Sequence, residues 1–270
     1  MFDGALAKYL ESDDDATALS TALKIAINSV YGLTAAHFDN PFRDIRNVDN
    51  IVAKRGALFM IDLRHFVQER GFTVVHIKTD SIKIANATPE IIEEVMEFGQ
   101  QYGYEFEHEA TYEKLCLVNN AVYVAKTKPG RKPSYWTATG AQFIHPVVFK
   151  TLFSKEPVTF EDYCETKTVT TALYLDYHPE DPEMTEPPVF IGRVGSFVPV
   201  TPEGHGGRLL RKKDDDYHNA TGAKGYLWRE SETVKELGLE KSIEHKYYRN
   251  LIDEALDNLS KFGDAERFVS

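Results

Sequence analysis

Apolar residues recur at three- and four-residue spacings in "TALSTALKIAINSVYGL": Leu19, Leu23, Ala26, Ile27 and Val30 fall on one face. The spacing predicts an amphipathic helix. Asp13 to Asp15 place negative charge near its start, where the helix dipole favours it, and Gly32 offers a C-terminal stop. "HFDNPFRDIRNVDN" is a polar connection with Asn-Pro as its turn signal. A second helix is expected through "IVAKRGALFMIDLRHFVQERG". Asp49 or Asn50 caps it, Ile51, Leu58, Ile61, Leu63 and Phe66 are its apolar positions, and Gly71 ends it.

The pattern then changes period. "FTVVHIKTDSIKIAN" reads as two short strands joined by the polar turn Thr79-Asp80-Ser81. Thr88-Pro89 opens a third helix, "PEIIEEVMEFGQQYG". "YEFEHEATYEKLCLV" starts with strict alternation at Tyr104 and Phe106, which predicts a strand, and "NNAVYVAKT" predicts another. "KPGRKPSYW" is a basic turn or hairpin tip. Residues 17 to about 125 therefore predict an α+β fold, an antiparallel sheet with covering helices. Beyond them come short helical pieces, an acidic proline-rich loop at "YHPEDPEMTEPPV", and short glycine-punctuated strands around "FIGRVGSFVPV". A C-terminal helix or helix pair follows, with the apolar stripe Tyr247, Leu251, Ile252, Ala255, Leu256 and Leu259.

Composition adds boundaries. With 270 residues the chain suffices for one large domain or two modest ones. No stretch approaches the roughly 20 apolar residues of a membrane span, and the acidic N-terminus lacks an apolar signal region. Cys116 and Cys164 form no metal-ligand pair by spacing and read as buried thiols of a reducing compartment, which predicts a cytoplasmic protein. The net charge of −11 alone argues against DNA binding, but the charge is segregated. Residues 126–155 hold six basic residues and no acid, and 192–213 hold five basic residues and one acid. Basic blocks of this kind can converge on one polyanion-binding face, or simply reflect fluctuation along a solvated surface.

Two constellations carry candidate chemistry. Lys24, Asn28 and Tyr31 occupy one helix face at i, i+4 and i+7. The face presents a cation, an amide and a phenol, which suit the phosphate, base edge and sugar of one nucleotide; alternatively Lys24 snorkels and Tyr31 is a core aromatic. In "HIKTDSIKI", Asp80 either closes a hairpin turn or projects a carboxylate toward Mg2+, a cation that takes hard oxygen ligands.

Together, in this order, the two motifs resemble motifs B and C of family B DNA polymerases of the bacteriophage type. The segments "LKIAINSVYGLT", "NIVAKRGALFMIDL", "VVHIKTDSIKI" and "LVNNAVYVAKT" carry the resemblance, which extends over residues 19 to 126. It implies a palm part over 1–135, with nucleotide-contacting helix and catalytic hairpin, and a mixed α/β thumb-like region over 136–270. It implies that Lys24 contacts the triphosphate of the incoming dNTP, that Asn28 lies near the nascent base pair, and that Tyr31 packs on its minor-groove side. Asp80 would be the catalytic metal ligand in a two-Mg2+ site, with Thr79 and Ser81 holding the turn. Of the family's primer-contacting strand only Tyr123 matches, so Lys126, Lys128, Arg131 and Lys132 are further candidates for contacting primer-template DNA.

Two departures shape the expectation. The first Asp of the usual D-T-D-S motif is Lys78, a cation that favours the ionised form of Asp80 or meets a phosphate. The family's upstream D-x-x-S-L-Y-P motif, which supplies a second metal-binding Asp, has no match before residue 19. The expectation is the C-terminal part of a split or truncated polymerase, whose partner polypeptide carries the missing acidic strand and the exonuclease. The alternative is a non-catalytic DNA-binding or scaffolding remnant.

Overall fold

The computed structural model describes residues 18–130, 133–178, 186–213 and 216–270. It divides into two compact units, Met1–His108 and Glu109–Ser270. The strands after residue 111 belong with the second unit. The protein is mixed α and β, and its sheets are antiparallel.

In the first unit, α1 (Ala18–Ala35) leads through a loop to the single turn α2 (Ile45–Val48) and to the long α3 (Ile51–Glu69). The hairpin β1 (Thr73–Ile77) and β2 (Ile82–Ala85) follows, then α4 (Pro89–Gln101). The core lies where α3, α4 and the hairpin meet. Leu63 and Val67 of α3 are fully buried, with Phe59, Met60 and Val95, and Val74, Ile77, Ile82 and Ile84 of the hairpin pack on them. Phe59 anchors an aromatic cluster, its ring centre 5.7 Å from that of Phe98 and 4.4 Å from that of Tyr104. Thr88 caps α4 by accepting from the Ile91 N–H, with Pro89 in the first turn, as its sequence predicts.

Two sequence expectations are corrected here. Gly32 does not stop α1, which continues to Ala35. A glycine inside a helix costs only about 1 kcal/mol, and the helix ends where its free carbonyls find donors. The Asn40 amide donates to Leu33 O at 3.0 Å, and the Asp44 N–H donates to Thr34 O at 3.0 Å. Residues 104–107 form no strand. Their alternation instead reflects packing against α4: the Tyr104 N–H closes on Gly99 O at 2.9 Å, and the Phe106 ring lies where a Cβ on Gly99 would come within 2.7 Å. Among the described residues of the first unit the hairpin is a two-stranded sheet of its own.

The second unit begins with β3 (Tyr112–Leu117), β4 (Tyr123–Thr127) and β5 (Trp136–Ala138), a three-stranded antiparallel sheet; Arg131 and Lys132 of the basic segment between β4 and β5 lie outside the described residues. Short helical pieces follow: α5 (Ala141–Ile144), α6 (Pro146–Phe149) and a π-turn at Lys150–Ser154. The strands β6 (Glu165–Asp176), β7 (Val189–Val200), β8 (Arg208–Lys213), β9 (Asp216–Asn219) and β10 (Leu227–Glu230) form a sheet in the order β10-β7-β6-β8-β9. "FIGRVGSFVPV" is thus one long strand rather than short pieces. Most of the acidic proline-rich loop, residues 179–185, lies outside the described residues, as do Asp13 to Asp15. The C-terminal segment forms α7 (Ser231–Glu236), α8 (His245–Ser260) and α9 (Ala265–Val269). The apolar stripe of α8 is as expected: Tyr247, Ala255 and Leu259 are buried, and Leu251, Ile252 and Leu256 pack at the margins of two cores.

A charged cluster is built into the edge of the second unit's core. Glu165 receives the Lys167 ammonium at 2.5 Å and stands 3.4 Å from His145 Nε2. His145 Nδ1 in turn accepts from the Val147 N–H at 3.2 Å and caps α6. Lys167 also lies 4.9 Å from the ring centre of the buried Trp228. Burial pushes the Glu165 carboxyl up, but the neighbouring His145, Lys167 and Tyr247 outweigh it and hold it down at about 2.

Two stability outcomes follow. Leu63→Ala removes a fully buried side chain and should cost about 3 kcal/mol in denaturant unfolding of the first unit, whereas Leu58→Ala, on the exposed side of α3, should change stability by less than about 0.5 kcal/mol. Equal losses would contradict the placement of the core. The depressed Glu165 carboxyl makes a contribution that is complete above the ordinary glutamate value of 4.5 and is lost as pH falls from there toward about 2. Acid titration of Glu165→Gln should therefore show a flatter loss of stability over that window than the parent protein.

Candidate functional site

The hairpin tip is set by register. Ile77 pairs with Ile82, and the Lys78 N–H donates to Ser81 O at 2.9 Å, closing a loop of Lys78, Thr79, Asp80 and Ser81. An irregularity between Val74 and His76 inserts one residue into β1. In a regular strand, residues three apart face opposite sides. The bulge lets Val74 and Ile77 both reach the core beside Ile82 and Ile84. Lys78, Thr79 and Asp80 are left exposed at the tip, and Ser81 is half-buried. Among the described residues, neither Lys78 nor any other cation forms an ion pair with Asp80.

Lys24, Asn28 and Tyr31 lie on one stripe of α1, and all three are exposed. The half-buried Leu23, Ile27 and Val30 run beside them. Tyr31, 43% exposed, is thus no core aromatic. α1 packs against α2, α2 against α3, and α3 against β1, so the stripe and the hairpin belong to one unit. No hydrogen bond, ion pair or ring contact among the described residues joins Lys24, Asn28 or Tyr31 to Asp80. The stripe can offer an anionic, planar ligand a cation, an amide and a phenol at once. Asp80 offers a hard cation one carboxylate.

A pair of Mg2+ ions does not fit that inventory. Among the described residues, no three His, Cys, Asp or Glu side chains converge to hold a metal ion, and one exposed carboxylate alone supplies too few ligand oxygens to hold two divalent ions.

The remaining candidates sit in the second unit and are divided between two faces. Tyr123 and Lys126 are three residues apart on β4 and point to opposite sides of the sheet. Lys126 is drawn to Glu113 at 3.1 Å and lies 5.6 Å from the Trp136 ring centre. Tyr123 is half-buried beside Tyr112, whose phenol is pushed up to about 12 by burial first and then by Tyr123, Glu109 and Tyr135. Lys128 is exposed, with its N–H bonded to Thr111 O at 2.7 Å. Arg131 and Lys132 lie outside the described residues.

Sequence reasoning missed the His145–Glu165–Lys167 cluster. Glu165 and Lys167 are two apart on β6, so a strand reading places them on one face, but nothing local announces His145 as the third member. Its geometry is that of a structural joint, since His145 also caps α6.

No helix of the described residues is long and apolar enough to cross a membrane. Cys116 and Cys164 are free thiols, half-buried, with pKa values raised by burial. No protein-family model matches the chain, and no curated protein matches it.

Proposed function

We propose that the chain is the C-terminal part of a split or truncated family B DNA polymerase, which adds dNTPs to a primer 3′-hydroxyl on a DNA template once a partner polypeptide is present. The observation that carries the reading is the exposure, within one compact unit, of the Lys24–Asn28–Tyr31 stripe and the hairpin-tip Asp80. An ordinary α+β protein has no use for a cation, an amide and a phenol aligned on an exposed helix that is otherwise largely apolar. In this reading Lys24 binds the triphosphate, Asn28 and Tyr31 orient the base and sugar, and Asp80 is one acidic ligand of a centre completed by the partner. Lys128, Arg131 and Lys132 hold the primer-template together with one face of β4, that of Tyr123 or that of Lys126.

A second reading, a non-catalytic DNA-binding remnant, is favoured by Lys78, which puts an ammonium where the resembled motif carries a carboxylate. Mg2+-dependent binding of a dNTP separates the two, because a scaffold has no triphosphate site.

The purified chain alone should not extend a primer, and addition of a polypeptide carrying the D-x-x-S-L-Y-P strand should restore extension. In the restored enzyme Asp80→Ala should lower kcat by roughly 100-fold or more with DNA affinity retained, and Lys24→Ala should raise KM for the dNTP about tenfold. Extension by the chain alone would refute the split arrangement. A separate measurement addresses DNA: neutralising Lys126, Lys128, Arg131 and Lys132 together should flatten the salt dependence of DNA binding by up to about four phosphate contacts' worth of slope. An unchanged slope would remove these residues from the DNA interface.

A further inference from the structure

The charged cluster around Glu165 contains two buried polar atoms whose hydrogen-bonding capacity is unused. His145 Nε2 and Glu165 Oε1 face each other at 3.4 Å, longer than an ordinary N–H···O bond, and neither has a hydrogen bond elsewhere among the described residues. Two such atoms side by side call for an explanation, and the far ends of the two groups supply it. Lys167 Nζ takes Glu165 Oε2 at 2.5 Å, which leaves Oε1 to the imidazole. His145 Nδ1 accepts from the Val147 N–H at 3.2 Å, and only an unprotonated ring nitrogen accepts. The neutral ring therefore carries its one proton on Nε2, next to Oε1, while the cap at Nδ1 holds the ring short of the carboxylate.

The surroundings fix what a second proton would do. β6 presents Glu165 and Lys167, and Glu165, held down at about 2, stays ionised through the range in which imidazoles become charged. α8 presents Tyr247, beside Glu165, and Tyr248, whose ring centre lies 5.7 Å from that of His145. Burial first, and then Glu165, push both phenols up, so neither titrates in that range. The 3-10 turn Phe160–Tyr163 presents Asp162, already engaged by Lys150 at 2.8 Å, and Tyr163, which stands between Tyr248 and His245 with ring centres 4.9 and 5.3 Å away. Pro146–Phe149 of α6 itself carry no charge. Of these groups the His145 ring alone meets both the helix cap and the carboxylate.

We propose that His145 is a proton-driven switch at the start of α6. The neutral imidazole caps the helix and leaves Glu165 Oε1 unpaired. A proton from solvent adds to the Nδ1 lone pair, the Val147 N–H loses its acceptor, and the imidazolium closes through Nε2–H on Oε1 as a charge-assisted bond. One hydrogen bond opens and another forms, so a tie within α6 is exchanged for a tie from α6 to β6. Val147 lies in the core that contains Trp228 and Leu173, and its neighbour Val148 in the core that contains Val124 and Phe143. The first turn of α6 therefore joins two cores of the second unit, and acidification frees that turn while His145 tightens on β6. The switch uses none of the residues assigned to nucleotide, metal or DNA.

The test is a pH titration of the full chain by NMR, with nitrogen-15 in the histidine rings and valine amides. On the basic side of its transition the His145 ring should be the Nε2–H tautomer. Through the transition the Val147 amide should move with the same midpoint as the ring. Its hydrogen exchange, corrected for the intrinsic pH dependence, should quicken roughly fivefold as the cap is lost. His145→Asn keeps a side-chain acceptor at the cap position and removes the titrating ring. It identifies the His145 signals and should abolish the Val147 step while exchange stays slow. An Nδ1–H tautomer, or a Val147 amide that does not follow the ring, overturns the proposal. So does a Val147 step that survives in His145→Asn, which would assign it to another group such as His245. The titration of the unaltered chain decides the tautomer and the coupling even if the variant fails to fold, and it contains no DNA or nucleotide, so its failure leaves the primer-extension test untouched.

Discussion

A two-stranded hairpin is marginal on its own in water, and the hairpin of β1 and β2 exists because it is backed. Its four inward residues, Val74, Ile77, Ile82 and Ile84, lie against Leu63 and Val67 of α3, which are wholly removed from solvent. That contact sets the register, since a slip of one residue would turn the apolar set to water. It also explains the bulge, without which Val74 and Ile77 would face opposite ways. Asp80 is where it is because the core behind the hairpin permits one arrangement. The carboxylate is held at the tip by apolar packing at the base and by the Lys78–Ser81 backbone bond, with no polar contact of its own needed.

The two sides of that helix differ. Phe59, Met60, Leu63 and Val67 make one side of α3 indispensable to the first unit, and Ile51, Leu58 and Ile61 make the other side apolar without use in it. α1 contributes in a different way. It has no fully buried side chain among its described residues, and its C-terminal end is tied down by polar contacts, including that of the Asn47 amide to the Thr34 hydroxyl at 2.5 Å.

Legibility in the sequence followed the strength of local rules. α4 was readable because Thr88-Pro89 is a cap with a mechanism, and the stripe of α8 because its period is uninterrupted. The hairpin was readable from β-branched runs around a polar turn. Gly32 misled because a helix stop depends on where carbonyls find partners, and Asn40 and Asp44 lie beyond the local window. Tyr104 and Phe106 misled because alternation records side-chain packing and not hydrogen bonding; here both rings pack on Phe59, with Tyr104 still partly exposed. Of the candidate site, the Lys24–Asn28–Tyr31 stripe followed from helical spacing alone. The opposite facing of Tyr123 and Lys126 also follows from strand period, once both are known to lie in β4. The joining of His145 to Glu165 could not be read, because it depends on tertiary packing between α6 and β6.

Lys78 gives the candidate site its particular electrostatics. An ammonium and a carboxylate at an exposed tip attract by only about 1 kcal/mol at 4 Å in water, and here they form no ion pair. Their charges nevertheless offset one another for any ligand that approaches from outside. A divalent cation meeting this tip feels close to zero net charge, which makes Asp80 with Lys78 a poorer metal site than the paired carboxylates of the resembled motif. A triphosphate carrying its own cation is different: it brings negative charge for Lys78 and Lys24, and a cation for Asp80. On the proposed polymerase reading, the tip would favour a metal already bound to an anionic substrate over a free metal. On the same reading, a further carboxylate from a partner would restore the missing negative charge, and Lys78 would make metal binding at this tip depend on that partner.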